Sequence, residues 1–533
     1  MDELASFDPA ATRAAVGTIK LSLALIAAGL LGWAAVAQRR GGPDTGKRLR
    51  DGLLVVVALL SAAAWWNFSA FHYFSPDRHL AHVHDWDTYH YFVGTKYFDE
   101  LRYTELYNCS AAASPDAWRI QGDNALWVRN LSNNQLEGLR VQDMKACKER
   151  FSPDRWRSFS ADIAWFYSRI PNWKSVFHDW GFNATPVWIT MGQTLIGDRP
   201  ANARTLGWQT LVDVPVLALG FASVAWAFGW RTLCVLLVFW GTNFPADYSW
   251  TGGALLRHPW FGLLLGGISL LRRGHVFLGG FTLGTATALR VFPGAALAGL
   301  ALLGAARLLR RDDGPALRRS LITGAGALCA MIGLALAAAP FTHGFSTWRD
   351  FAVNSAIDSV PSANNLGLKG VLAHRERDKW EMLKGLPDSV TRWEAARADA
   401  LADRAAWQIV GVGAGLVLLG AATLRRRDED WVAAVVALGV IPLAFHLASY
   451  YHVSIAVFAL LASRQPAIGA ALCLLAAFSQ AAGSFPMEND ERYVWLSIGW
   501  LSFVGVAATL ALLPPQRDET ATWEQTTSAP RGR

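Results

Sequence analysis

Apolar and polar stretches alternate along this chain on the length scale of a membrane helix. Apolar runs fall at 17–37, 53–71, 208–229, 231–247, 256–271, 275–289, 292–309, 319–340, 406–423, 431–447, 453–463, 467–483 and 494–514. Most are long enough to cross a hydrocarbon core of roughly 30 Å, which predicts an all-α polytopic membrane protein of about 13 spans. Helices are the natural solution, because lipid offers backbone groups no hydrogen-bond partner. The run 453–463 is short. The region 275–309 is one apolar stretch broken at Arg290-Val-Phe-Pro293. Proline removes a donor and disfavours helix just before it, so two shorter helices should meet at Arg290. No tandem repeat points to the inverted repeats common in transporters.

The polar stretches divide the chain. Residues 1–71 hold the first two spans, 72–206 a large loop, 207–340 a central bundle, 341–405 a second loop, 406–514 the last spans and 515–533 a polar tail. Short basic clusters set the orientation. Arg39, Arg40, Lys47, Arg48 and Arg50 form one. Others are Arg272-Arg273, the group Arg307, Arg310, Arg311, Arg318 and Arg319, then Arg425-Arg426-Arg427 and Arg464. All fall on one side of the predicted bundle. By the positive-inside rule that side is cytoplasmic, with the N-terminus outside, the C-terminus inside and both large loops extracytoplasmic. Ala35-Val36-Ala37 looks like a signal-peptide cleavage site, but Asp2, Glu3 and Asp8 lead where a basic region would be needed.

Composition agrees. The chain is 52% hydrophobic and 17% charged, against about a quarter charged in soluble domains. No basic patch interleaved with aromatics suggests a nucleic-acid surface. The Ala- and Arg-rich usage points to a bacterial inner (plasma) membrane. Cys109 and Cys147 share the first outside segment, where an oxidising compartment would let them pair. Two free thiols are the alternative.

Chemistry concentrates in His82-Val-His-Asp-Trp-Asp-Thr-Tyr-His90, just past the second span. From Asp85 to about Leu106 the pattern reads as an amphipathic helix or helix pair. Trp86, Tyr89, Val93 and Tyr97 form one stripe, and Asp87, Tyr91, Gly94 and Phe98 an adjoining face. Such a helix would lie in the membrane interface. In the bland reading, the aspartates simply complement the helix dipole. His82 and His84, with Asp85, Asp87 and His90, are also a candidate divalent-metal set, although the spacing matches no closed zinc signature.

Asp87-Thr-Tyr-His-Tyr-Phe-Val-Gly-Thr-Lys-Tyr-Phe, followed by Glu100-Leu-Arg-Tyr-Thr-Glu-Leu-Tyr107, resembles the first outside loop of GT-C superfamily glycosyltransferases. It is most similar to the glycosyltransferase family 87 pattern. The resemblance implies a GT-C-like bundle that takes a sugar from a polyprenyl-phosphate donor. The sugar would pass to a glycan or lipid-linked acceptor on the extracytoplasmic face. It also implies an acidic base early in the first outside loop, which makes Asp87 the candidate and Asp85 the second. Thr285-Ala-Thr-Ala-Leu-Arg290-Val-Phe-Pro293 resembles the family's broken-helix element, where the basic residue is usually Lys. Arg keeps the charge and gains bidentate geometry for phosphate. Asn364-Asn365-Leu-Gly-Leu-Lys369 resembles its later polar loop. The outside loop is longer here than in the pattern, and its cysteines are not part of it.

Glycosyl transfer needs a base for the acceptor hydroxyl and cations for the departing phosphate. Arg290 is the leading phosphate contact, with a snorkelling side chain as the alternative. Tyr91 and His90 flank the candidate base. Lys369, Asn365, His446 and His452 are weaker candidates for the same pocket. Asp179 and Asn183, with Trp180 or Trp188 to stack, are candidates for the acceptor, or else form a structural loop. Two rival readings remain. A transporter or flippase of a lipid-linked or small polar substrate should carry ionisable residues deep in several spans. A non-catalytic scaffold would bind glycan without turnover.

Overall fold

A computed structural model gives the fold and describes residues 9–40, 46–69, 82–120, 122, 126–311, 314–357, 360–375, 389–425 and 429–513. The acidic start with Asp2, Glu3 and Asp8, the residues Arg426 and Arg427, and the tail 515–533 lie outside the described residues.

Helix dominates. Along the chain come α1 (Pro9–Arg40) and α2 (Lys47–Trp65), then the outer helices α3 (Asp85–Lys96), α4 (Leu106–Ala113), α5 (Val141–Glu149), α6 (Pro153–Arg169) and α7 (Pro186–Ile196). The central bundle contains α8 (Asp213–Phe228), α9 (Trp230–Thr242), α10 (Pro259–Arg272), α11 (Val276–Leu289), α12 (Gly294–Leu309) and α13 (Pro315–Ala338). After the second polar segment, with α14 (Ser389–Asp403), come α15 (Ala405–Arg425), α16 (Asp430–Ala437), α17 (Pro466–Ser484) and α18 (Asn489–Leu512). A small antiparallel hairpin, β1 (Trp127–Asn130) with β2 (Gln135–Gly138), pairs Trp127 with Gly138 and Asn130 with Gln135.

Each apolar run is largely helical over its described residues, although 431–447 is split between Asp430–Ala437 and Val440–Ala444 and 208–229 is interrupted after Gln209. Among the described residues six helices are long and apolar enough to cross a membrane, and the chain is an integral membrane protein. The expected count of about 13 crossings rests further on α2 and on shorter apolar helices, which are below the usual span length. One of these is a 3₁₀ helix of 15 residues, Ser449–Ser463. At a 3₁₀ rise it covers about 30 Å, where an α-helix of the same length would reach roughly 22 Å. The short run 453–463 thus reaches from one end of the bundle to the other.

The expected break at Arg290 is present. Helix α11 ends at Leu289, Arg290 is extended (φ −146°, ψ 127°), and α12 restarts at Gly294. Helices α11 and α13 pack closely because glycines permit it. A Cβ on Gly280 would lie 2.0 Å from the Thr323 carbonyl oxygen, and one on Gly284 2.5 Å from that of Ala327.

The outer segment is a folded domain. Cys109 of α4 and Cys147 of α5 are disulfide-bonded, closing a separation of 38 residues. Helix α3 is its axis. Every residue from Thr88 to Lys96 is buried, so both expected faces are covered by protein. This corrects the expectation of a helix lying in the membrane interface. Tyr89 packs on Phe166 and Trp173, Tyr91 on Phe182 and Trp188. At the far end Lys96 Nζ and Tyr97 Oη both donate to Asp162 Oδ2, at 2.7 and 2.8 Å.

The second polar segment docks on this domain. Arg129 of β1 pairs with Glu394 of α14 at 2.9 Å. Asn365 bridges to Ala448, and Ser449 N donates to the Asn364 carbonyl at 2.9 Å. At the opposite end of the bundle, Arg272, Arg307, Arg319 and Arg464 gather about Glu429, Asp430 and Trp431.

Candidate functional site

Helix α3 starts at an unusual cap. His84 Nδ1 accepts from Asp87 N at 3.2 Å, and the His84 carbonyl accepts from Thr88 N at 2.9 Å. A histidine ring thus does what Ser, Asp or Asn usually does at a helix start. The cap aims Asp87 away from the interior of α3. Its side chain is 16% exposed and forms an ion pair with Arg257.

Arg257 is delivered by a loop buried throughout, Thr251 to His258. Three anchors fix it. The Gly253 carbonyl accepts from His84 N at 2.9 Å. Gly253 has φ +66°, and a Cβ there would lie 1.7 Å from the His82 carbonyl oxygen, so only glycine fits. The Leu256 carbonyl accepts from Trp188 Nε1 at 3.2 Å. His258 closes the loop, holding Asp213 Oδ2 by its backbone N at 3.0 Å and by Nδ1 at 2.9 Å. Between these anchors Leu256 adopts φ +48°, an uncommon conformation for a residue with a side chain.

Arg290 arrives from the broken helix. Thr185 caps α7, accepting from Trp188 N at 3.2 Å, with Pro186 in the first turn. The same hydroxyl donates to the carbonyls of Ala288 (2.7 Å) and Leu289 (3.2 Å), pinning the end of α11. Helix α7 therefore holds both arginine-bearing segments, one by Trp188 and the other by Thr185.

The two guanidinium groups share an aromatic enclosure. Arg290 Cζ lies 5.1 Å from the Tyr91 ring centre, 5.4 Å from Tyr451 and 5.7 Å from Trp188. Arg257 Cζ lies 4.3 Å from Tyr450, 5.7 Å from Tyr91 and 5.9 Å from Tyr451. Tyr91 Oη donates to Asn183 Oδ1 at 3.0 Å and lies 3.4 Å from Tyr451 Oη. Arg257 has Asp87. Arg290 is 6% exposed, and its charged neighbours among the described residues include no carboxylate within ion-pair distance. Aromatic faces attract a cation but do not cancel its charge. A buried, uncompensated guanidinium is costly, and an anionic ligand would relieve that cost.

The other expected residues divide. Asp87, Tyr91, Asn183 and Arg290 come together. Asp85 does not join them. It is 2% exposed and bound to Arg169 Nε at 3.0 Å, which corrects its standing as a second base. His90 packs behind Asp87, its ring nitrogens on the Trp86 carbonyl (2.8 Å) and Tyr107 Oη (2.9 Å). Asp179 takes the Trp86 indole N–H at 2.6 Å and lies 3.9 Å from His90. It edges the site beside half-buried Trp180, whose ring carries Arg129 at 4.2 Å. Asn365 donates to the His446 carbonyl and so holds the turn carrying Tyr450 and Tyr451. This positions the site without touching it. Lys369, on the short helix Leu368–Leu372, is half-buried. His452 is fully buried against the backbone of Leu366 and Leu447.

The imidazoles report the site's electrostatics. Burial, then the neighbouring positive charge of Arg257, lowers the His84 pKa to about 3. Burial likewise lowers His90 and raises the Tyr91 phenol. The proposed metal set does not converge. His82 Nε2 faces the Gly207 carbonyl at 3.2 Å, and Asp85 and Asp87 face different arginines. Among the described residues, only Glu105, Cys109 and Cys147 bring ligand atoms together, and both sulfurs are in the disulfide.

Sequence reasoning missed Arg257 and the tyrosine pair. A signal existed: Arg257 and Arg290 fall, on the orientation expected from the basic clusters, at the end of the bundle where basic residues should be scarce. Arg492 shares that end but spends its guanidinium on the carbonyls of Ala482, Phe485 and Met487. The chain matches no family model, no curated protein and no solved structure.

Proposed function

We propose that this protein is an integral-membrane glycosyltransferase that moves a sugar from a polyprenyl-phosphate donor to a glycan or lipid-linked acceptor on the extracytoplasmic face. The observation that carries the reading is Arg290, a buried cation with no carboxylate partner among the described residues, in one enclosure with the Arg257–Asp87 pair. In this reaction the acceptor oxygen attacks the anomeric carbon while Asp87 takes the hydroxyl proton. The bond from that carbon to the phosphate oxygen breaks, and the polyprenyl phosphate leaves with the electron pair. Arg290 stabilises the charge that develops on it. A single displacement inverts the anomeric centre. Asp179, Trp180 and Asn183, at the edge of the enclosure, are the candidates to orient the acceptor. In this reading the membrane is a bacterial inner membrane, with the N-terminus outside and the C-terminus in the cytoplasm.

The test is release of polyprenyl phosphate by purified protein in nanodiscs, offered polyprenyl-phosphate mannose or arabinose and a glycan acceptor. Asp87→Asn should abolish transfer in protein that still forms the disulfide, with a loss of thermal stability because buried Arg257 loses its carboxylate partner. Full activity in Asp87→Asn would end the assignment. One observation favours a transporter instead. Lys20 of α1 is 1% exposed and bound to Asp247 Oδ1 at 2.7 Å and Asn67 Oδ1 at 3.0 Å, an ionisable cluster inside a span. Movement of a lipid-linked substrate across vesicles without release of polyprenyl phosphate would favour that reading.

A further inference from the structure

The Arg257–Asp87 pair differs from the buried pairs of Arg307 and Lys96 in what surrounds the cation. Arg307 adds Ser320 Oγ and the Ala316 carbonyl to its carboxylate partner, and Lys96 adds the Arg199 carbonyl. Arg257 is 3% exposed, and apart from Asp87 it is surrounded by the rings of Tyr450, Tyr91 and Tyr451, with the neutral hydroxyls of Tyr450 and Tyr451 as further hydrogen-bond partners. Two of those rings also face Arg290. The guanidinium therefore has one charged partner on one side and a second unmet cation across shared aromatics. An anion that settles on Arg290 would share the Tyr91 and Tyr451 enclosure with Arg257.

We propose, resting on the reading of this enclosure as a phosphate site, that Arg257 is an exchangeable arm shared between Asp87 and the bound anion. Without ligand it neutralises Asp87 and covers the carboxylate. A phosphate group held by Arg290 competes for it. As Arg257 moves its hydrogen bonds to the phosphate, Asp87 is released to accept a proton. The base is thus uncovered only when the anion is in place. Asp87 and the anion are coupled through one side chain, so each must weaken the other's hold on it.

The coupling has a counter-intuitive signature, because removing the candidate base should improve anion binding. Binding of inorganic phosphate and of a short-chain dialkyl phosphate is measured by calorimetry on full-length protein in nanodiscs. Asp87→Asn should tighten both by about tenfold, a typical coupling between linked sites. Arg257→Gln should weaken both, and Asp87→Asn added to Arg257→Gln should give no further change. A gain confined to the dialkyl phosphate would assign the site to a lipid headgroup. Unchanged or weaker binding of both ligands in Asp87→Asn overturns the proposal. If Asp87→Asn does not fold, Arg257→Gln decides alone, and wild-type affinity in that variant overturns it equally. The two readings fail separately. Tightening of phosphate by Asp87→Asn, without transfer from any sugar donor in the wild type, would remove the glycosyltransferase and keep the exchange. Transfer that requires Asp87, without tightening, would do the reverse.

Discussion

Arg307 and Arg290 are the same residue at the two ends of one bundle, 3% and 6% exposed. Arg307 has its counter-charge. Its Nη1 donates to Asp430 Oδ1 and Ser320 Oγ, each at 2.7 Å, and Arg319 covers Asp430 Oδ2 at 3.3 Å. Arg290 has three aromatic rings and no carboxylate among the described residues. Burial alone therefore does not distinguish a structural arginine from a functional one. The missing counter-charge does, because a fold that holds an unpaired cation forgoes stability that a ligand would restore.

The comparison breaks most readily at the paired end. Asp430→Asn leaves Arg307 and Arg319 facing a neutral amide in a buried setting. Breaking a buried pair by removing one partner costs roughly 3–5 kcal/mol. Thermal unfolding in detergent should show that loss, while phosphate binding by the folded fraction stays at the wild-type level. A variant within about 1 kcal/mol of wild type, the range of exposed pairs, would show that the cluster is not the structural clamp described.

The other end should behave with the opposite sign. Arg290→Met removes a buried charge that no carboxylate among the described residues neutralises and fills its place with a side chain of similar reach. Without ligand the variant should be neutral to about 1–4 kcal/mol more stable, as when buried charges give way to well-packed apolar groups. Phosphate should no longer stabilise it. In the wild type, ligand at a hundred times its dissociation constant should add about 2.7 kcal/mol. If Arg290→Met destabilised the protein as much as Asp430→Asn, the two arginines would be alike and the site reading would lose its main support.

The paired end was legible in the sequence only as topology, and the unpaired end only in half. Apolar runs became helices because lipid leaves the backbone no other choice. The break before Pro293 followed from a local steric rule, and Cys109 with Cys147 from compartment chemistry. Asp87 and Arg290 stood out as charges in the wrong surroundings. Hidden were the facts that depend on distant partners. Asp85 stood second to Asp87 as a base until Arg169, 84 residues later, claimed it. An aromatic stripe reads as amphipathic whatever covers it, so α3 suggested a membrane surface where the fold supplies protein on every side. Arg257 vanished into the start of an apolar run, and nothing in the spacing marked Tyr450-Tyr451 as partners of the two arginines. The run 453–463 looked too short because sequence spacing does not reveal a 3₁₀ rise.

His84 provides the finest probe of the difference between the two ends, because it titrates inside the field of the unpaired one. Its folded pKa is lowered to about 3, first by burial and then by Arg257, against 6.5 for an ordinary histidine. Between those values the unfolded chain binds a proton that the folded protein refuses. Stability from this group is therefore full above pH 6.5 and falls as pH drops towards 3, by roughly 1.4 kcal/mol per unit. His84→Asn keeps a good cap acceptor for Asp87 N while removing the titration, so the difference between its stability–pH curve and the wild type's isolates the effect. Arg257→Gln, or saturating phosphate, reduces the positive field on the ring and should make the acid loss shallower. An identical acid loss in wild type and His84→Asn would mean that His84 is charged in the folded state. Arg257 would then not act on the ring in the way its position at the N-terminus of α3 requires.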